Sequence, residues 1–310
     1  MWGTFEMTNR SSLIALWISL ISNLLLTAIK ILVGIFFNSQ VLVADGIHNA
    51  GDVIATFAAL TSSMVSKKPA DEDHPYGHGK AEVVASGIVA VILALAALFM
   101  VFKSVQALLE PASGASIIAL VAACVSYAWK QGLYVYCMRL GKEQNSKSLL
   151  ATANDHLADV YASIAAVIGI GVALIGDRFG LPFTQYGDPI AGIIVSYLVM
   201  KLAYEMGKES IGVLMEQSLP VAEIRKLEDI VQSIPEVKRI DRIRAREHGH
   251  YVIVDVRVSI SNELTIKEGH DISRLIRDSI KNRREDVEEV LVHVNPWYES
   301  SRGQRPDYQK

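Results

Sequence analysis

Long apolar runs dominate the first two thirds of this chain, and they limit its possible folds more than any other feature. A helix needs about 20 mostly apolar residues to cross a bilayer, and six stretches reach that length, near 12–37, 41–66, 80–109, 114–140, 147–176 and 188–213. Inside hydrocarbon the backbone must satisfy its own hydrogen bonds, so runs of this length predict helices. Composition agrees: 51% of the 310 residues are hydrophobic and the mean hydropathy is +0.28, too apolar for an ordinary soluble domain. The first run is longer than a signal-peptide core and no small-residue cleavage site follows it, so it reads as a spanning helix.

Charged residues complete the layout. Arg10, Lys67, Lys68, Lys80, Arg139, Lys142 and Lys147 fall on one side of the six predicted spans, which the positive-inside rule assigns to the cytoplasm together with both termini. This predicts a multi-pass protein of the plasma (inner) membrane, with a cytoplasmic N-terminal segment, 1–11, and a transmembrane domain, 12–216. After Pro220 the pattern becomes charged and amphipathic. Ile224, Leu227, Ile230 and Val231 line one side of a predicted helix that stops at Pro235. Segments 237–246 and 251–260 alternate like strands; 264–283 reads as a helix and 287–294 as a strand. The order αββαβ predicts a cytoplasmic α+β domain, 217–297, with helices on an antiparallel-type sheet in a ferredoxin-like arrangement. A polar, disordered tail, 298–310, is expected to follow.

Two polar clusters interrupt the apolar runs. Ala44-Asp45-Gly46-Ile47-His48-Asn49-Ala50-Gly51-Asp52 lies in the second and Asn154-Asp155-His156-Leu157-Ala158-Asp159 in the fifth. An unpaired carboxylate at membrane depth costs at least ~2.5–3.5 kcal/mol, and such residues mark ion or proton pathways. Asp45 and Asn49 are i and i+4, as are Asp155 and Asp159, so each pair projects from one helical face. Two facing helices would then offer four oxygen-bearing side chains to one cation. Asp52, one further turn along the Asp45/Asn49 face, reads as a group that orients ligands or relays protons. His48 and His156 sit about 100° round the helix from these faces and read as supporting groups or a proton relay. If His156 turned inward, its spacing to Asp159 would favour zinc. Lys130, in the fourth run, is a candidate cation to neutralise one of the carboxylates. Small residues such as Ala162-Ser163-Ile164-Ala165-Ala166 allow close helix approach.

Six predicted spans, DxxxN in the second, DxxxD in the fifth, the loop Asp71-Glu72-Asp73-His74-Pro75-Tyr76-Gly77-His78-Gly79-Lys80 and an αββαβ domain together resemble the cation diffusion facilitator family over residues 10–297. The resemblance implies a homodimeric secondary transporter, not an enzyme, that exports divalent metal cations in exchange for protons by alternating access. Lipid is the other partner expected, with no nucleic acid and no further protein. It assigns Asp45, Asn49, Asp155 and Asp159 as transport-site ligands. Zinc-type members carry histidine at one or both first positions, here Asp45 and Asp155. An all-oxygen set with one amide is harder and better matched to Mn²⁺ than to Zn²⁺, with Fe²⁺ or Co²⁺ as secondary cargo. The resemblance also implies a cytoplasmic loop site at Asp73, His74 and His78, and an ion pair of Lys80 with Glu216 that holds the dimer interface. For a site in the C-terminal domain, His270 and His293 match, but other positions there are Asp241, Arg257 and Asn295. Arginine cannot coordinate a metal, so that site is expected to be incomplete and the domain to act mainly in dimerisation. Glu247-His248-Gly249-His250 reads as a solvated turn.

Charge accounting follows. Three carboxylates with a divalent cation leave one net negative charge, a cheaper burden for the bilayer than the bare carboxylates, so protons and metal compete for the same oxygens. Two rival readings stay open: zinc or iron efflux by the same fold, and a membrane-embedded metallohydrolase, against which stands the lack of HExxH and GxSxG. A net charge of −3 without a concentrated basic face argues against nucleic-acid binding. Cys124 and Cys137 share one apolar segment, which argues against a disulfide framework or a cysteine zinc cluster.

Overall fold

The computed structural model describes residues 2–109, 116–143 and 147–298; the expected polar tail lies outside them beyond its first residue. The chain divides into two compact units, residues 1–60 with 86–207, and residues 61–85 with 208–310.

Six long helices follow the predicted runs: α1 (Trp2–Phe36), α2 (Gln40–Ser66), α3 (Ala81–Leu109), α4 (Ile117–Glu143), α5 (Lys147–Phe179) and, after a 3₁₀ turn at Pro182–Tyr186, α6 (Gly187–Leu214). α1 begins at Trp2, within the segment expected to precede the first span. Among the described residues five helices are long and apolar enough to cross a membrane: α1, α3, α4, α5 and α6. α2 is not one of them, since it carries Asp45, His48, Asn49 and Asp52. Its 27 residues extend ~40 Å at 1.5 Å each, so it matches a bilayer in length but not in apolarity.

The first unit is packed with small side chains. Ala44 of α2, Ala119 and Ala123 of α4, Ala162 and Ala166 of α5 and Ala191 of α6 are buried in one cluster with Met100 and Ile170. Small residues let helix backbones approach, the main source of packing energy where lipid tails offer no hydrophobic contrast. α1 turns into α2 at Asn38, which has a left-handed φ of 50°, a conformation asparagine tolerates. Asp188 then bonds Ser39 Oγ and accepts from Gln40 N at 2.6 Å, capping α2.

The second unit contains α7 (Val221–Gln232), β1 (Arg239–Glu247), β2 (Val252–Ser261), α8 (Ile266–Arg283) and β3 (Val287–Trp297), in the predicted order. Alternation puts Val252, Val254, Val256 and Val258 on one face, buried with Leu227, Ile230 and Val231 of α7 and Ile272, Ile276 and Ile280 of α8. α8 starts with a capping box: Thr265 accepts from Glu268 N while the Glu268 carboxylate accepts from Thr265 N. The expected antiparallel sheet is corrected to a mixed one. β1 pairs antiparallel with β2, but β3 pairs parallel with it, because the α8 crossover returns the chain in the same direction.

Candidate functional site

α1 and α2 lie so close that a Cβ on Gly46 would stand 3.1 Å from both Ile31 N and Lys30 Cβ. The missing side chain lets Lys30 reach the neighbouring carboxylate. Lys30 Nζ is 2.7 Å from Asp45 Oδ2, with both side chains fully buried, an ionic contact without an aligned hydrogen bond. From α5, Ser163 Oγ donates to the same Asp45 oxygen at 3.3 Å, and Ser126 of α4 bonds Ser163 at 3.2 Å. Three helices thus meet at Asp45, and α4 joins them through Ser163.

A second meeting point is Asp159 on α5. Lys130 Nζ of α4 donates to Asp159 Oδ2 and, at 2.7 Å, to Asn23 Oδ1 of α1. His48 Nε2 of α2 is 3.6 Å from Asp159 Oδ1, and His156 Nδ1 is 3.8 Å from Oδ2. The other ring nitrogen of His156 bonds Ser19 Oγ at 2.8 Å. Ligand atoms of His48, Asp52 and Asp159 all lie within 4.8 Å of one another.

Asp45 and Asn49 are 0% exposed and Asp159 is 1%, whereas Asp155, the fourth expected ligand, is exposed. The two clusters, more than a hundred residues apart in sequence, are joined through Asp45–Ser163 and His48–Asp159. Asp45 Oδ1, Asp159 Oδ1, both amide atoms of Asn49, and Nδ1 of His48 and His156 are buried without hydrogen-bond partners. Each orphaned atom costs ~1–3 kcal/mol. Carboxylate and amide oxygens in this condition suit a hard divalent cation, and His48 adds one nitrogen of borderline softness.

Sequence reasoning expected Lys130 beside a carboxylate, and it is there. It missed α1, whose Ser19 and Asn23 bond His156 and Lys130 and whose Lys30 forms the ion pair with Asp45. The available signal was Lys30 itself, a full charge within an apolar run.

In the second unit, Asp71, His74 and His78 are grouped as a possible ligand set; Asp73, expected in that place, lies outside the group and is exposed. The reason is local. Asp71 begins a turn in which its Oδ1 accepts from His74 N at 2.7 Å, so its side chain folds back over the loop, 3.4 Å from His78 Nε2. That backbone N–H holds the Asp71 carboxyl below its usual range. Tyr251 Oη donates to Tyr76 O, fixing the loop to the β1–β2 turn. There Gly249 has φ 75°, and the Gly79 carbonyl leaves no room for a Cβ.

Lys80 pairs with Glu216 within the chain, and Arg246 takes the other carboxylate oxygen. Glu216 has a left-handed φ of 61°, a sterically costly conformation for a side chain of this kind, and the two cations hold it. Burial raises its carboxyl, but the Lys80 hydrogen bond and the charges of Lys80 and Arg246 outweigh that and keep it below the usual range. His270 and His293 are both exposed. His293 Nε2 bonds Asn295 Oδ1 at 3.0 Å, while Asp241 accepts from Asn295, Ser259 and Arg239. Those hydrogen bonds engage His293, Asn295 and Asp241 of the expected third site and do not include the His270 side chain. His248 stacks on Tyr251 at 5.1 Å between ring centroids.

Comparison with known proteins adds an independent observation. Residues 16–215 match the model of the cation efflux transmembrane domain, and residues 219–297 that of the cation efflux protein cytoplasmic domain. The chain is 46% identical over 282 residues to the manganese efflux system protein MneP of Bacillus subtilis (strain 168), covering 91% of this chain and 95% of that one. It is 34% identical over 291 residues to MneS of the same organism, covering 90% and 93%. A solved cytosolic domain of a cation diffusion facilitator family protein is 24% identical, covers 24% of this chain and 90% of that one, and has a TM-score of 0.24.

Proposed function

We propose that this chain, which belongs to the cation efflux family, exports Mn²⁺ from the cytoplasm in exchange for protons by alternating access. The observation that carries this reading is the buried convergence of α2 and α5. Oδ1 of Asp45, of Asn49 and of Asp159 is buried without a hydrogen-bond partner, a donor set whose hardness suits Mn²⁺. Similarity to two manganese efflux proteins supports the same cargo.

In this mechanism Asp45, Asn49 and Asp159 hold the cation, and Asp155, one turn before Asp159, joins them as the site rearranges. Asp52 and His48 border the site and pass protons, which are the counter-ion at the same carboxylates. His156, anchored by Ser19, orients Asp159. Asp71, His74 and His78 form a separate cytoplasmic metal site. α2 crosses the membrane as the sixth span, shielded by its neighbours, and both termini are cytoplasmic in the plasma membrane. Two chains form a homodimer through the 217–297 domain, with the Lys80–Glu216 pair supporting the interface.

A second reading, zinc efflux, is favoured by His48, whose imidazole lies within the Asp52/Asp159 group. Proteoliposome uptake of Mn²⁺, Zn²⁺, Fe²⁺ and Co²⁺ in parallel, with internal pH recorded, separates the two. The expected result is preferential Mn²⁺ uptake coupled to proton movement and abolished by Asp159→Ala. Preferential Zn²⁺ uptake would transfer the cargo to the second reading, and metal movement without a proton signal would overturn the exchange.

A further inference from the structure

Two lysine ammonium groups are wholly buried in the first unit, and each sits on an oxygen of a carboxylate named above as a cation ligand. Lys130 Nζ bonds Asp159 Oδ2, and Lys30 Nζ is 2.7 Å from Asp45 Oδ2; all four side chains are at most 1% exposed. An ammonium and a divalent cation cannot bond the same lone pairs in the same place. Lys130 has a second acceptor within reach, Asn23 Oδ1 at 2.7 Å on α1, which remains available to it if Asp159 is taken. Lys30 lies on the same helix seven residues on, so α1 carries both the alternative acceptor and the other ammonium.

We propose that Lys130 and Lys30 are resident counter-cations of the transport site: cargo loads by displacing their ammonium groups from Asp159 and Asp45, and leaves as they return. The proposal rests on the export reading above and adds to it the feature that sets affinity and drives release. Formal charge is consistent with the arrangement. Asp45, Asp52, Asp155 and Asp159 with Lys30 and Lys130 leave two negative charges, which one divalent cation cancels and a monovalent one does not. A loaded site that keeps its lysines is therefore neutral, the cheapest condition for moving charge through hydrocarbon.

The two cations are linked through one carboxylate, a coupling typically of fivefold or more. Lys130→Met should therefore lower the Mn²⁺ dissociation constant of the purified full-length protein by about tenfold. In proteoliposomes it should lower KM and kcat together, since nothing then returns to Asp159 and the loaded site retains negative charge. Lys130→Arg, whose guanidinium can grip a carboxylate with two hydrogen bonds, should raise the dissociation constant. Asn23→Ala should raise it too, because the displaced ammonium loses its acceptor, and this variant keeps both charges and tests the idea even if Lys130→Met does not fold. A merely structural role for Lys130 would reduce folded protein without this ordering. Unchanged affinity in Lys130→Met and Asn23→Ala, or an order other than Met tightest and Arg weaker than wild type, overturns the proposal. Because binding is measured separately by equilibrium dialysis, wild-type protein that binds Mn²⁺ but fails to transport it would sink the export reading alone, while the order of affinities still decides the role of the lysines.

Discussion

Replacing Asp45 by leucine tests whether the buried pair on α1 and α2 is held by charge or by packing. At 2.7 Å and an effective dielectric constant of ~20, the attraction of Lys30 for Asp45 is about 6 kcal/mol. Withdrawing both ions from water costs several kcal/mol each, so the net worth of the intact pair is close to zero. Deleting one partner is a different matter, because an ammonium with 0% exposure is then left without a counter-charge, which costs ~3–5 kcal/mol. At about 1.4 kcal/mol per decade, the folded-to-unfolded ratio of Asp45→Leu should fall by roughly two to three and a half decades. The double variant Lys30→Met/Asp45→Leu removes both charges and should return to within about 1 kcal/mol of wild type. Transport should stay absent in both variants, because the cation has lost a ligand. Reversible unfolding in mixed micelles, followed by tryptophan fluorescence, measures stability, and proteoliposome uptake measures function. Stability of Asp45→Leu within ~1 kcal/mol of wild type would refute the reasoning. A double variant as unstable as the single one would do the same, since the loss would then come from packing.

Three further outcomes are expected. The Glu216 carboxyl is held below its usual range, so its contribution to stability is complete above the ordinary carboxylate value and lost as pH falls through the depressed one; the thermal midpoint of wild type should drop more steeply than that of Glu216→Gln on acidification. Thr265→Ala removes the acceptor for Glu268 N at the start of α8 and should cost ~1 kcal/mol in a denaturant titration, whereas Thr265→Ser should cost little. In the cytoplasmic loop, Asp71→Asn should weaken Co²⁺ binding followed by its visible absorption far more than Asp73→Asn, because Asp71 is the acid grouped with His74 and His78; equal effects would return Asp73 to the site.

Much of this protein is legible without coordinates, for reasons that can be named. A bilayer leaves the backbone few options, so each apolar run had to be a helix, and apart from α1, which starts at Trp2 rather than near residue 12, the helices begin and end near the expected places. The valine alternation of β2 and the Thr265/Glu268 signature of α8 are local patterns, carried by neighbours in sequence. The two polar clusters announced themselves by their desolvation cost, which depends on residue type and setting alone. Apart from Lys130, expected beside one of the carboxylates but not assigned to a particular one, their partners distant along the chain were not legible. That Asp45 would meet Lys30 and Ser163, that Asp159 would meet His48, and that Lys130 would bridge Asp159 and Asn23, follows from how four helices are rotated and spaced, as at the close approach of Gly46 to α1. That Asp71 rather than Asp73 reaches His74 and His78 follows from one turn's hydrogen bond, and the direction of β3 from the crossover before it. Composition and spacing determined that this chain crosses membranes and must compensate acidic groups inside them; only the packing decided which positive charges do so, because complementarity between side chains far apart in sequence exists only after the helices have come together.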